Sequence, residues 1–426
     1  MPVYLISYLS SFLFARIAQY ALSGFVLIFA ALVLFLSDMR RGGTPLHLRA
    51  LYSLGFVGGQ GISCLKLSKL QTSWEWQTWA ALFLAYTVFW LAFELCRLNA
   101  GHAAIRQRGR RSRSLNSGRL FLAIVGITLI SWIAFLLEVR LLGYAPLLVR
   151  GVPHAYSYFH VSGVHYFTVS CVLVPSLAVL WFETERELSQ RRTLGVLLCV
   201  VCSFLIPLLC VSRFQLILAA VTAAFTLLTL ERGQIPLWIA LPAGLTLLLL
   251  YVLLTLARSH SVSYLNDIFE MKRSLPIFLS QPYIYIANNY DNLNCLIRDL
   301  PAHTLGLRVL FPLWALTGLK FVFPSLASFP LYVTKTELTT VTLFYDAWYD
   351  FGMLGIVVFA ALLGILSFYL EERLLQEHHP LFSVFYAQFA LYMALSFFTT
   401  WFSNPATWFY FIETAAVYLF VRGRRR

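Results

Sequence analysis

The feature that limits what this chain can become is its succession of apolar runs, each about as long as a bilayer is thick, separated by short loops that carry arginine. A hydrocarbon core about 30 Å thick is crossed by about 20 helical residues rising about 1.5 Å each. The runs read as Val3 to Gln19, Tyr20 to Ser37, Ala50 to Lys66, Thr78 to Leu98, Leu120 to Val139 and Phe167 to Phe182. They continue as Leu194 to Val211, Phe214 to Leu230, Ile235 to Ala257, Trp348 to Leu370, Leu381 to Phe402 and Thr407 to Val421.

With 59% hydrophobic and 12% charged residues, a soluble globular chain is excluded. The expected fold is an all-α polytopic integral membrane protein of about 12 transmembrane helices, a single transmembrane domain over residues 1–426. The opening MPVYLISYLSS has neither a basic stretch nor a small-residue cleavage site, so no cleavable signal peptide is expected.

A net charge of +13 would suit nucleic acid, but its placement argues against that partner. Arg106, Arg108, Arg110, Arg111 and Arg113 crowd one loop without an acid, and RGRRR ends the chain. Such loops belong in the cytoplasm, and with twelve crossings both termini lie there too. Glu94, three residues before Arg97, reads as a local ion pair. The glycines of GFVGGQG permit close helix packing. Cys199 and Cys202 read as small apolar residues of one helix face, and the sequence offers no DxD, HExxH or other metal-ligand spacing. No cofactor is expected.

Two segments then fall outside the cytoplasm: a first outer loop over 140–166 and a main extracytoplasmic loop over 258–347, the latter with short helices of its own. The first carries Arg140, Arg150, His154, His160 and His165 on the side that normally avoids positive charge. Arg213 sits at the tip of a tight outer hairpin, and Arg258, Arg273 and Arg308 lie in or beside the main loop. Guanidinium groups bind phosphate bidentately and stay charged in a low-dielectric cleft. Neighbouring Tyr, Trp, His and Asn side chains stack on sugar rings and bond hydroxyls, so a lipid-linked sugar pyrophosphate fits both features; contact with anionic lipid headgroups is the simpler alternative. Asp346 and Asp350, four apart at a helix start, share a face and are candidate bases, although an aspartate there commonly caps exposed amides. His160, His165, Glu138 and Asp291 are the other candidates, and NNYDN from Asn288 suits sugar hydroxyls or an ordinary turn.

Four stretches, in this order, resemble the Wzy-type oligosaccharide repeat-unit polymerases, the O-antigen polymerase family. They are GYAPLLVRGVPHAY; CVSRFQLILA; YIYIANNYDNLN with HTLGLRVLFPL; and TTVTLFYDAWYDFGMLGIVVFAALLG. The likeness covers about Leu120 to Leu370, and the last stretch is its most specific part. The first loop departs from the pattern with His154, Tyr156 and His160 where arginine is often found.

The resemblance implies glycosyl transfer on the outer face of a bacterial inner membrane, extending an undecaprenyl-pyrophosphate-linked glycan. Arg213 and Arg258 would then stabilise the pyrophosphate leaving group, and Asp350, Asp346 or His160 would serve as base. Arg140, Arg150, His165, Arg273, Asn289, Tyr290, Asn292, Tyr345 and Tyr349 would contact substrate. A chain-length regulator and a flippase would be the protein partners. An O-antigen ligase, using His260 or His303, and a transporter, for which Glu413 speaks, are the alternatives.

Overall fold

The computed structural model describes residues 1–100, 115–149, 155–185, 189–230, 262–376 and 379–422. Among these, secondary structure is helical apart from two isolated bridge pairs. Seven helices are long and apolar enough to cross a membrane: Tyr20–Gly42, Trp76–Ala100, Ser117–Leu142, Val164–Thr184, Gln190–Leu209, Arg213–Leu230 and Tyr345–Gln376. A polytopic membrane protein follows from their length and apolar character. Other expected spans take shorter or interrupted forms. Pro2–Arg16, Phe382–Ala394 and Pro405–Val421 are shorter helices, and the stretch from Leu48 to Cys64 is interrupted by a π-helical segment, Ser53–Val57. The run from Ile235 to Ala257 lies outside the described residues.

The chain folds as two compact units. The first comprises Met1–Arg108, Val262–Leu375 and Tyr392–Thr407. Its helices approach closely where glycine removes the obstacle: a Cβ on Gly61 would lie 2.8 Å from the Ile28 amide nitrogen, and one on Gly24 would lie 2.7 Å from the Gly61 carbonyl oxygen. The GFVGGQG run is therefore a packing face. Aromatic rings fill the interior beside it, with Tyr4 and Tyr86 centroids 4.2 Å apart and Tyr52 and Phe89 likewise at 4.2 Å. Arg49 is buried between Asp38, which it grips with Nε at 2.9 Å and Nη2 at 2.8 Å, and Glu94, whose Oε2 accepts from Nη1 at 2.7 Å. Glu94 also pairs with Arg97, so the local pair is one side of a larger ionic staple. A buried arginine is tolerable only when its donors are met in this way.

The largest departure from expectation is the segment Ile277–Asp299. It forms a 23-residue helix, mostly buried, within a stretch expected to lie in an outer loop with only short helices.

The second unit comprises Gly109–Ser261, Gln376–Leu391 and Trp408–Arg426. Leu120, Ile124, Val174, Leu180, Trp181, Val196 and Val384, all fully buried, make its centre. Ser117–Leu142 begins at Asn116, whose side chain accepts from the Arg119 amide, and ends at Gly143 in the left-handed region (φ 80°).

Candidate functional site

In the first unit the site grows from the YDFG sequence. Gly352 takes φ 58° and ψ −138° and breaks the Tyr345–Gln376 helix. A side chain there would be strained and would lie 2.9 Å from His303 Nε2. A break frees carbonyls on its N-terminal side, and those need donors. The stretch His303–Leu305 supplies them: the Thr304 amide donates to Tyr349 O at 3.3 Å, the Leu305 amide to Asp350 O at 3.1 Å, and His303 Nδ1 lies 3.2 Å from Tyr349 O.

The turn that brings these amides round uses two successive left-handed residues, Leu305 (φ 53°) and Gly306 (φ 101°). It then offers the Arg308 and Val309 amides to the Asp350 carboxylate at 3.2 and 2.7 Å, with the Thr304 hydroxyl as a third donor. Asp350 is fully buried and its oxygens are occupied. It caps amides, as sequence allowed, but those of a distant loop; this argues against a base role and for the positioning of Arg308.

Arg308, which the sequence places among the outer-face arginines without giving it a role in the site, stands at the centre of this cluster. Its Nε donates to Asp346 Oδ1 at 2.5 Å. The guanidinium carbon lies 4.7 Å from the Tyr349 ring centre, 5.5 Å from that of Phe329 and 5.8 Å from that of Tyr345. Among the described residues nothing accepts a hydrogen bond from its two Nη atoms. One edge of the guanidinium is thus held by a carboxylate and three rings while its two Nη atoms, on a side chain 14% exposed, keep the paired donors that a bidentate anion takes. Tyr345 and Tyr349 act as walls and pins: Tyr345 OH donates to Tyr332 O at 3.0 Å and accepts from the Tyr332 amide at 2.9 Å, and Tyr349 OH donates to Pro330 O at 3.2 Å.

Asn289, Tyr290 and Asn292 do not line this opening. All three are fully buried on the Ile277–Asp299 helix. Asn292 Nδ2 donates to Leu338 O at 2.8 Å and Thr340 O at 2.7 Å, Asn289 Nδ2 to Phe397 O at 2.7 Å, and Tyr290 OH to Phe56 O at 2.6 Å. Buried amides must be satisfied, and these are satisfied by pinning chain, so the expected sugar contact gives way to scaffolding. Asp291 is likewise enclosed, accepting from Lys66 Nζ at 2.5 Å, Gln71 Nε2 and Trp74 Nε1 at 2.8 Å each, and Ser63 Oγ at 3.1 Å.

In the second unit the buried Glu138 carboxylate accepts from the Val161 amide at 2.9 Å and the Thr168 hydroxyl at 2.7 Å, and His165 Nδ1 lies 3.1 Å from both its oxygens. An ionised carboxylate only accepts, so Nδ1 is the ring nitrogen that donates to it. The exposed His160 has its ring centre 5.2 Å from that of His165. Arg213, only 7% exposed, opens its helix just after Val211, and Tyr156 packs on Val211 and Leu216. The segment holding Tyr156 thus meets the turn that precedes Arg213. Arg140 and Arg273 are exposed in their respective units and Glu413 keeps Oε2 buried without a hydrogen bond among the described residues. Arg150, His154, Arg258 and His260 lie outside the described residues.

No protein-family model matches the chain, and no curated protein or solved structure matches it.

Proposed function

We propose that the chain is a membrane glycosyltransferase that polymerises undecaprenyl-pyrophosphate-linked repeat units into a surface polysaccharide. The observation that carries this reading is the Arg308 guanidinium, fixed by Asp346 and three aromatic rings with its two Nη donors left without an acceptor among the described residues. Departure of a polyprenyl pyrophosphate from an anomeric carbon places charge on phosphate oxygens, and a preorganised guanidinium stabilises that charge without reorganising during the reaction. The acceptor hydroxyl gives its proton to a general base as its oxygen attacks the anomeric carbon and the bond to the pyrophosphate breaks with its electron pair. The four stretches resembling O-antigen polymerases support the same reading. It entails twelve crossings of a bacterial inner membrane, both termini in the cytoplasm, and a chain-length regulator and flippase as partners.

The test is to incubate purified protein with a lipid-linked repeat unit and resolve the products on a gel. A ladder of increasing repeats that Arg308→Ala abolishes is the expected result; no ladder from the native protein sinks the reading. A ligase reading is favoured by one observation, the exposed His303 whose Nδ1 is tied to Tyr349 O on the turn leading to Arg308. Transfer only to a different acceptor, lost in His303→Ala, would establish that reading instead.

A further inference from the structure

The first unit holds a cavity of about 220 Å³ away from Arg308, lined by Arg16, Tyr20, Lys66, Ser73, Trp74 and Trp79 among others. Two turns wall it, and each contains a non-glycine residue in the left-handed region, Ala18 (φ 58°) and Lys66 (φ 49°). Such conformations cost free energy and persist where the surroundings fix them, commonly at ligand clamps.

The charges around it are unbalanced. Asp291 behind the wall is saturated by its four donors. Lys66 gives it one hydrogen bond and holds Nζ 4.3 Å from the Trp74 ring centre, facing the cavity wall. Lys272 places Nζ 6.0 Å from the ring centre of the lining Tyr20. Arg16 is exposed and makes no ion pair or hydrogen bond among the described residues. Lys66 is neutralised by Asp291, and the nearby Glu270 carboxylate is taken up by Lys335, so Arg16 and Lys272 are the cations left beside the aromatic walls, with the exposed Glu75 following Trp74. On the same helix end Leu13 and Ile17 are 62% and 66% exposed, an apolar landing beside the cationic mouth.

We propose that this cavity binds the phosphodiester headgroup of an anionic glycerophospholipid of the bilayer, its acyl chains lying along Leu13 and Ile17. The volume holds roughly seven waters at about 30 Å³ each, enough for a phosphate and a small polyol but not for an oligosaccharide. Arg16 offers a planar fork to the phosphate, Lys272 adds point charge, and the rings of Tyr20 and Trp74 wall the site.

Native mass spectrometry of the delipidated full-length chain tests this, with dioleoyl phosphatidylglycerol and dioleoyl phosphatidylcholine as probes. The glycerol lipid is expected to bind about tenfold more tightly, and Arg16→Glu to remove that preference, since one charge-assisted bond is worth about a tenfold change. Ser73→Trp, which fills the cavity from an exposed position, is expected to do the same. Lys69→Glu, a nearby exposed lysine outside the lining, is expected to leave the preference intact. Equal binding of the two lipids overturns the proposal, as does a preference that survives both Arg16→Glu and Ser73→Trp. An equal loss in Lys69→Glu would mean general surface attraction and overturns it too. Displacement of the lipid by equimolar inorganic phosphate would reassign the cavity to free phosphate.

Discussion

Asp350 and Arg308 are joined through the backbone: the Arg308 amide donates to Asp350 Oδ1 at 3.2 Å while its guanidinium turns to Asp346. One aspartate therefore positions the residue and the other aims its side chain. Replacing Asp350 by Asn sets an NH₂ group against at least one of three donors. Each orphaned donor costs about 1–3 kcal/mol, so the 304–309 turn should loosen. Faster amide hydrogen exchange at Arg308 and Val309, with little change at Tyr290, is the expected readout; uniform loss of protection would mean global unfolding instead.

Arg308→Lys keeps the charge but loses the planar fork. Turnover should fall about 10- to 100-fold, whereas Asp346→Asn, which still accepts from Nε through its amide oxygen, should cost less. Initial rates of ladder formation decide the order. A larger loss in Asp346→Asn would mark Asp346, rather than Arg308, as the reacting group.

Glu138→Gln removes the charge that holds His165 in one tautomer and leaves an amide NH₂ facing a donor. The turn from Val161 to His165 should then loosen, since each orphaned donor costs about 1–3 kcal/mol. Faster amide hydrogen exchange at Val161 and His165, with little change at the buried Trp181, is the expected readout. Unchanged exchange at both positions would mean that the carboxylate does not hold this turn.

His47, before the Leu48–Tyr52 helix, predicts an acid limb in stability. Burial, reinforced by the Arg49 charge and partly opposed by Asp38, lowers its pKa from 6.5 to about 4. Its Nδ1 lies 3.3 Å from Glu371 Oε1 without making a hydrogen bond, which suits a neutral ring. A depressed folded pKa means the unfolded chain takes up the proton first. The contribution is complete above pH 6.5, fades as pH falls, and is gone below about 4. It amounts to a few kcal/mol at most. The melting temperature in detergent should fall as pH drops between those limits, and His47→Gln should flatten that dependence; an unchanged slope removes this group from the account.

The long spans were legible because apolar length and arginine-dense loops act locally in sequence. The site was less so, because its partners are remote. Asp346 and Arg308 stand 38 residues apart, and no spacing rule links them. Asn289, Tyr290 and Asn292 misled for a different reason: a polar helix face buried against loop carbonyls has the same composition as an exposed turn. The YDFG motif was visible as a unit, but Asp350 serves another segment's amides, which only the fold at Gly352 brings near.

The enclosure of Asp291 also bears on how the chain is made. Its partner Lys66 emerges 225 residues earlier, which at about 5–20 residues per second is a delay of roughly 11–45 s. Lys66, Gln71 and Trp74 therefore wait for the Ile277–Asp299 helix before their shared acceptor exists. This contact of the first unit closes only after residue 291 has been made.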